Sequence, residues 1–379
     1  MSNQINQCII ALTHGCNLRC NFCFAKKDGY DVNNYLDYGS LQRIIDFCSE
    51  IGVRYVVFTG GEPLLYPRLA DILRYITSRP HKMIPTVATN GILLENYEFC
   101  KELLDCRLGY IDVSLKGRDP QEWFRVTGRD GLKPQLKAVN NLSVLEADFT
   151  CSMVITENNA ETYCDTVENA YKSGARKFSF TFVIDNWTSG VKDLQYLRLH
   201  NPSALAGKFL AQRGRLDEIT KGEWWIEFSF PLCVYTEEQL ADLEGKLAAP
   251  CYIYHGNSLV FDTKLNLFPC DMFTDDALGK FGEDFSTSSE FENLKSQKKY
   301  ESILHSLNHL PSEYCLSCKH KASCLGGCPW FWRHCTFEAF MEFKTGLTSS
   351  RLLTPPYRQS MAQLAASAPP TQSRTGERE

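Results

Sequence analysis

The sequence predicts an α/β fold, with a parallel sheet of six βα units in the first half and a small cysteine-rich domain after it. Three observations predict this. Short apolar runs alternate with amphipathic stretches from about Cys8 to Asp185, the pattern of repeated βα units. Loops rich in glycine, asparagine and cysteine follow successive strand candidates, on the rim where parallel sheets place ligands. Cysteines then crowd together again between Cys233 and Cys335.

In order, the strand candidates are Cys8–Leu12, Tyr55–Thr59, Thr86–Thr89, Tyr110–Leu115, Thr150–Ile155 and Lys177–Val183. Helical spacing of apolar residues marks Leu41–Ile51 and Arg68–Thr77 between them. Residues 1–190 are therefore expected as one sheet-and-helix unit. Residues 191–230 have mixed charges and less regular spacing, and are expected as a connector crossing the sheet's mouth. Residues 231–337 form the cysteine-rich unit. Residues 338–379 are expected as a C-terminal helix and a disordered tail, since the last stretch is small, polar and Pro-rich. No repeat of fixed period is present.

Composition bounds the class. The 379 residues suffice for a large domain plus a smaller one, and 44% apolar content is ordinary for a globular chain. A net charge of -5 gives no support for a nucleic-acid surface. No stretch approaches the roughly 20 apolar residues of a membrane span, and the polar start before Cys8 lacks the pattern of a signal peptide. A cytoplasmic location is expected. In that reducing setting 17 cysteines, odd in number and strongly clustered, point to metal binding rather than disulfides.

The first cluster is Cys16, Cys20 and Cys23, directly after the first strand candidate. A strand followed by C-x3-C-x2-C wraps three thiolates around one face of a small inorganic cluster. Three ligands on a four-iron cluster leave one iron open for chemistry. The plain alternative is a zinc site completed by His14. The loop Gly60-Gly61-Glu62-Pro63 at the next strand end and Asn90-Gly91 at the third speak for a shared ligand rim instead.

These motifs resemble the radical S-adenosylmethionine (SAM) superfamily over about half the chain. The resemblance implies a partial (β/α)6, TIM-like barrel. It also implies a [4Fe-4S] cluster on Cys16, Cys20 and Cys23, with SAM chelating the fourth iron. Phe22 stands at the aromatic position where the family packs the adenine. Gly60 and Gly61 would let the backbone approach the ligand. Glu62 would accept a hydrogen bond from the methionine ammonium. On the fourth strand, Ser114 and Lys116 face the same rim, although many relatives carry Asp where Lys116 stands.

The second cluster of cysteines reads Cys315-x2-Cys318-x5-Cys324-x3-Cys328, preceded by Cys251 and Cys270 and followed by Cys335. It resembles the SPASM extension, which holds two auxiliary [4Fe-4S] clusters. The family's interleaving implies one on Cys315, Cys318, Cys324 and Cys335, and another on Cys251, Cys270 and Cys328. Cys233 would complete the second, or its iron stays open to substrate. Two departures stand out: Leu265 replaces a usual Gly, and the Cys328–Cys335 gap is short. Zinc-ribbon sites are the plain alternative. Cys8, Cys48, Cys100, Cys106, Cys151 and Cys164 read as buried small hydrophobes. His14, His255, His320 and His334 lie near cysteines but read better as surface or packing residues. Trp224-Trp225 and Trp330-Phe-Trp332 either line a peptide groove or, the more economical reading, shield the clusters. Lys319-His-Lys321 is either a docking patch for an acidic electron donor or a solvated loop.

The resemblance implies that an electron from a flavodoxin or ferredoxin enters the first cluster and cleaves SAM. The resulting 5′-deoxyadenosyl radical abstracts hydrogen from a substrate in the barrel mouth, and auxiliary clusters take up the surplus electron. SPASM-bearing relatives mostly modify peptides or proteins, so a peptide maturase acting on a precursor peptide is the first reading. Few residues precede the first strand, so a separate protein, or the barrel and SPASM surface, is expected to recognise the leader. A radical dehydrogenase or epimerase of a sugar or aminocyclitol is the second reading. A non-catalytic iron–sulfur or zinc-binding adaptor is the third.

Overall fold

A computed structural model describes residues 5–346 apart from 24, 26–30, 32, 185–190, 228–229 and 249–250. All six expected strands are there: β1 (Gln7–Thr13), β2 (Tyr55–Gly60), β3 (Ile84–Thr89), β4 (Tyr110–Leu115), β5 (Phe149–Ile155) and β6 (Phe178–Phe182). They pair in chain order, each parallel to the next. Six helices cover them: α1 (Tyr38–Glu50), α2 (Leu69–Thr77), α3 (Tyr97–Asp105), α4 (Pro120–Thr127), α5 (Leu132–Val144) and α6 (Tyr163–Lys172). This is the α/β, partial-barrel architecture that the sequence predicts.

The strands bury one face completely and leave the other partly open. On β1, Cys8, Ile10 and Leu12 are sealed beneath helices, while Ile9 and Ala11 face the lumen. On α1 the matching stripe is Leu41, Ile44, Ile45 and Cys48, spaced three and four residues apart. The same alternation on β4 turns Tyr110, Asp112 and Ser114 inward. In a flat sheet β4 and the third strand beyond it would be about 14 Å apart. Asp112 and Glu227 are nevertheless electrostatic neighbours, in keeping with a curled sheet.

The 191–230 stretch, expected as a connector, is mostly regular. It holds α7 (Asp193–His200), α8 (Pro202–Leu210), α9 (Arg213–Thr220) and a seventh parallel strand, β7 (Trp224–Ile226), paired to β6. Trp224 packs against Phe180 and Phe209 in the barrel wall, and Trp225 donates to Glu227 at 2.6 Å. The expectation that this pair shields clusters gives way to a strand role.

The other edge extends from the cysteine-rich part. Strand β8 (Ser258–Phe261) pairs parallel to β1, with Cys8 opposite Leu259. Strands β9 (Asn266–Phe268) and β10 (Gly279–Lys280) follow antiparallel, making a ten-stranded sheet. Leu265, between β8 and β9, has φ +70, a left-handed conformation that explains why a Gly is usual at this point. A helix at Phe337–Thr345 begins the expected C-terminal segment; the expected tail from 347, and residues 185–190 at the end of the first unit, lie outside the described residues. Among the described residues no helix is long and apolar enough to cross a membrane.

Candidate active site and cysteine centres

Backbone bonds fix the cysteine loop to the barrel rim. Gly61 N–H donates to Thr13 at 2.7 Å and Glu62 N–H to Gly15 at 2.8 Å, joining the loops after β1 and β2. A Cβ on Gly61 would lie 2.1 Å from the Gly15 carbonyl oxygen, so no other residue fits. Gly60 meets Thr13 in the same way. The expected close approach is thus to the chain itself, and it sets the position of Cys16. On the far side Arg19 and Asn21 donate their N–H groups to Thr127 and Val126 at the end of α4, each at 2.9 Å. Leu18, Ile92 and Trp123 make a small apolar platform against which Cys16 and Cys20 pack.

Cys16, Cys20 and Cys23 share one electrostatic neighbourhood with Glu62, and all three are partly exposed. Burial pushes the Cys16 thiol up to about 12, against the Leu18 N–H that donates to its sulfur at 3.4 Å. Burial also raises Cys20, opposed by the charge of Lys116. The raised thiols of Cys16 and Cys20 favour the protonated form, and a bound metal would draw the proton off. Three thiols together, reached from the lumen side by Lys116 and Glu62, fit a cluster with one position left open.

Glu62 is buried. Its Oε1 accepts from the Thr89 hydroxyl at 2.6 Å and Leu64 N–H at 3.1 Å, and its Oε2 from Asn90 N–H at 2.9 Å. Burial raises its pKa while these donors and Lys116 pull it back. The carboxylate has about four acceptor positions, so one stays available on Oε2. Asn90 also donates from Nδ2 to Asn17 at 2.7 Å, tying the third strand end to the cysteine loop. Thr89, Asn90 and Asn17 were not read from the sequence as site residues; Asn90-Gly91 at a strand end was the only signal.

Lys116 is nearly buried, donates to Ser114 Oγ at 2.6 Å, and holds its ammonium 5.2 Å from the Phe22 ring centre. Ser114, Lys116 and Phe22 are therefore brought together with the cysteines. Deeper in the lumen lies Asp112, whose Oδ1 is closed to solvent without a hydrogen-bond partner among the described residues. Burial and then the nearby Glu227 push its pKa up to about 6, despite Ser152 hydrogen bonds and Lys116. Asp112 and Glu227 were also missed, because their convergence needs a seventh strand.

The C-terminal cysteines regroup relative to expectation. Cys233, Cys315, Cys318 and Cys324 line one cavity of about 220 Å³ and lie within each other's electrostatic reach. Cys251, Cys270 and Cys328 form a second set, with Asp271 beside them. Cys335, expected with the first set, is buried elsewhere, and its charged neighbour is Asp193. Cys233, expected with the second set, sits in the first. Among the described residues no three His, Cys, Asp or Glu side chains converge tightly enough for a single metal ion. Thiols ringing a cavity fit a multi-atom cluster better. Tyr254 lies between the sets: its pKa responds to Cys251 and Cys328 on one side and Cys315 and Cys324 on the other, and its hydroxyl donates to Gly327 at 2.6 Å.

A further cavity of about 330 Å³ joins the two regions. Ala11, Thr59, Gly60 and His14 line its barrel side, and Asp262, Lys264 and Asp271 its cysteine-rich side. His14 hydrogen-bonds Thr263 and Asn34. His334 stacks on Tyr196, and His320 faces Glu237 at 3.7 Å; the side chain of His255 lies outside the described residues. Trp330 packs on Phe273 beside Cys251 and Cys270, and Trp332 lines the first cavity, as a shielding role requires. Lys319 is engaged by Glu237 at 2.7 Å, which leaves less of the basic patch for docking. Cys8, Cys48, Cys100, Cys106, Cys151 and Cys164 are all buried.

Residues 10–189 match the model of the Radical SAM superfamily. The chain is 33% identical over 169 residues to a protein named probable GTP 3′,8-cyclase from Thermococcus kodakarensis, covering 44% of this chain and 53% of that one. It is also 33% identical over 133 residues to a GTP 3′,8-cyclase from Chlorobaculum tepidum, covering 35% and 39%. The chain thus spans about half the length, or less, of these curated relatives. A 169-residue stretch is too short to hold both Cys16 and Cys251, so this likeness cannot reach across both cysteine regions. Among solved structures it resembles native anSMEcpe with bound AdoMet and Kp18Cys peptide, with TM-score 0.64, 16% identity and coverage of 96% and 100%. It also resembles Streptococcus suis SuiB bound to precursor peptide SuiA, with TM-score 0.59, 18% identity and coverage of 86% and 72%. At such identities the likeness carries the fold.

Proposed function

With a radical SAM domain at residues 10–189 as the premise, we propose that this chain abstracts hydrogen from a peptide substrate and oxidises or crosslinks it. Cys16, Cys20 and Cys23 would hold the [4Fe-4S] cluster that binds SAM, and the two C-terminal thiol sets would hold auxiliary clusters. When bound, cluster and SAM supply reductive SAM cleavage and hydrogen-atom abstraction. The chain supplies placement. Phe22 offers a flat apolar face, Glu62 an acceptor, and Ser114 and Lys116 polar contacts. Asp112 and Glu227 give that lumen an acidic floor that would orient a substrate's donor groups.

The observation that carries this reading is the meeting of three thiols with Glu62 and Lys116 at the ends of β1, β2 and β4. The peptide part is supported by a likeness that runs through the cysteine-rich half, to proteins solved with bound peptides. A reduced flavodoxin or ferredoxin, a separate leader-recognition protein and a cytoplasmic setting belong to the same reading. The curated relatives favour a second one, a small-molecule substrate, and their names make it a nucleotide.

The test is anaerobic reconstitution with iron and sulfide counted per chain, then incubation with SAM and dithionite and assay of 5′-deoxyadenosine. A Cys16/Cys20/Cys23→Ala variant should lose the product. Faster SAM cleavage on adding a precursor peptide supports the peptide reading, and stimulation by GTP alone transfers the proposal to the nucleotide. Stoichiometric zinc, or iron without SAM cleavage, sinks both and leaves a metal-binding adaptor.

A further inference from the structure

Three cysteines of the outer cavity come from one short segment, Cys315, Cys318 and Cys324, and the fourth thiol on its wall arrives from far upstream. We infer that Cys233, and not Cys335, completes the outer auxiliary cluster, an assignment that rests on the auxiliary-cluster reading above.

Two separate anchors hold Cys233 in place. Leu232 donates its N–H to the sulfur of Cys324 at 3.3 Å, so the residue beside Cys233 already touches a ligand of the set. Gly327 packs backbone-to-backbone on Pro231: a Cβ there would lie 2.5 Å from the Pro231 nitrogen, and its φ is +77. The turn Pro231–Val234 is therefore pinned to the loop that carries Cys324 and Cys328. The Cys233 side chain lines the same cavity as Cys315, Cys318 and Cys324. Lys344 reaches the carbonyl of Cys233, and Lys319 and Lys321 line the same cavity, which places cations around a site that would carry four thiolates.

Cys335 is held away by an equally definite arrangement. The carbonyl of His334 accepts from Asp193 N–H at 2.8 Å, and Thr336 N–H donates to Asp193 Oδ1 at 2.8 Å. Both neighbours of Cys335 are thus tied to the start of α7, and the residue is buried and is not among those lining the cavity of Cys233. Four thiolates satisfy the coordination of a [4Fe-4S] cluster, so the outer site is closed. The inner site keeps three thiols, Cys251, Cys270 and Cys328, with Asp271 next to them and a cavity beyond.

The test is anaerobic reconstitution of the full chain and of Cys233→Ala, Cys335→Ala and Cys233→Ser variants, with iron counting and EPR spectra of the reduced proteins. The parent should bind about twelve irons, four per cluster. Cys335→Ala should keep them. Cys233→Ala should lose about a third, and Cys233→Ser should regain iron with an altered outer-cluster signal. Full iron in Cys233→Ala, or equal loss in Cys335→Ala, overturns the assignment. A parent chain holding iron on the N-terminal thiols alone sinks the auxiliary-cluster reading itself, and the assignment with it.

Discussion

The ammonium of Lys116 lies 5.2 Å from the ring centre of Phe22, so a buried cation from the fourth strand covers an aromatic ring from the cysteine loop. The same ammonium is felt by Cys20, Glu62 and Asp112. One side chain therefore couples the loop, the second strand end and the lumen.

Replacing Lys116 by Met keeps the bulk and removes the charge. A cation over a desolvated ring contributes about 1–2 kcal/mol. SAM affinity should fall about five- to thirty-fold, with iron content unchanged, as measured by anaerobic equilibrium dialysis. Unaltered affinity would mean that Lys116 serves folding alone.

Glu62→Gln places an amide N–H₂ where only donors converge: Thr89, Asn90 and Leu64 all donate to this carboxylate. Leaving one buried donor unmatched costs about 1–3 kcal/mol. Thermal unfolding of the apoprotein should shift down by several degrees. A variant as stable as the parent that fails to bind SAM would assign Glu62 to the ligand only.

Asp112 sets a pH dependence. Its folded pKa, about 6, lies above the ordinary carboxylate value, so the folded state binds the proton more tightly than the unfolded chain. Its contribution is fully present below about pH 4 and is lost as pH rises through about 6. Asp112→Asn should accordingly be more stable than the parent at pH 8, by about 1–3 kcal/mol, with the gap closing near pH 4. Denaturant unfolding at both pH values checks the sign.

Tyr254→Phe removes the hydroxyl that donates to Gly327 between the two C-terminal thiol sets. Stability should fall by about 1 kcal/mol. The EPR signals of the C-terminal clusters should shift while that of the N-terminal cluster stays. Movement of the N-terminal signal instead would contradict the position given to Tyr254.

The barrel was readable because each of its strands is five to seven residues long and rich in apolar, β-branched and aromatic residues. Strand β7 is three residues long and β8 four, too short for periodicity to register. The N-terminal site was legible because its three thiols are adjacent in sequence and Glu62 follows two glycines. The partition of the C-terminal cysteines was not. Spacing says nothing about whether Cys233 or Cys335 meets Cys315; the pinned turn at Pro231 and the tie between Asp193 and Thr336 decide it. Asp112 stood in view within the fourth strand. Its meaning depended on Glu227, a residue that reaches it only when the sheet curls.

Because Cys8 and Leu259 share a ladder register, the wall that carries Asp271 is woven into the sheet and is not a hinged flap. The gap between that wall and the rim of β1 and β2 is thus framed on both sides by strands of one sheet. Cutting the cysteine-rich half away would do more than remove cysteines. It would strip β1 of its outer neighbour and leave a bare edge open to pairing with other chains.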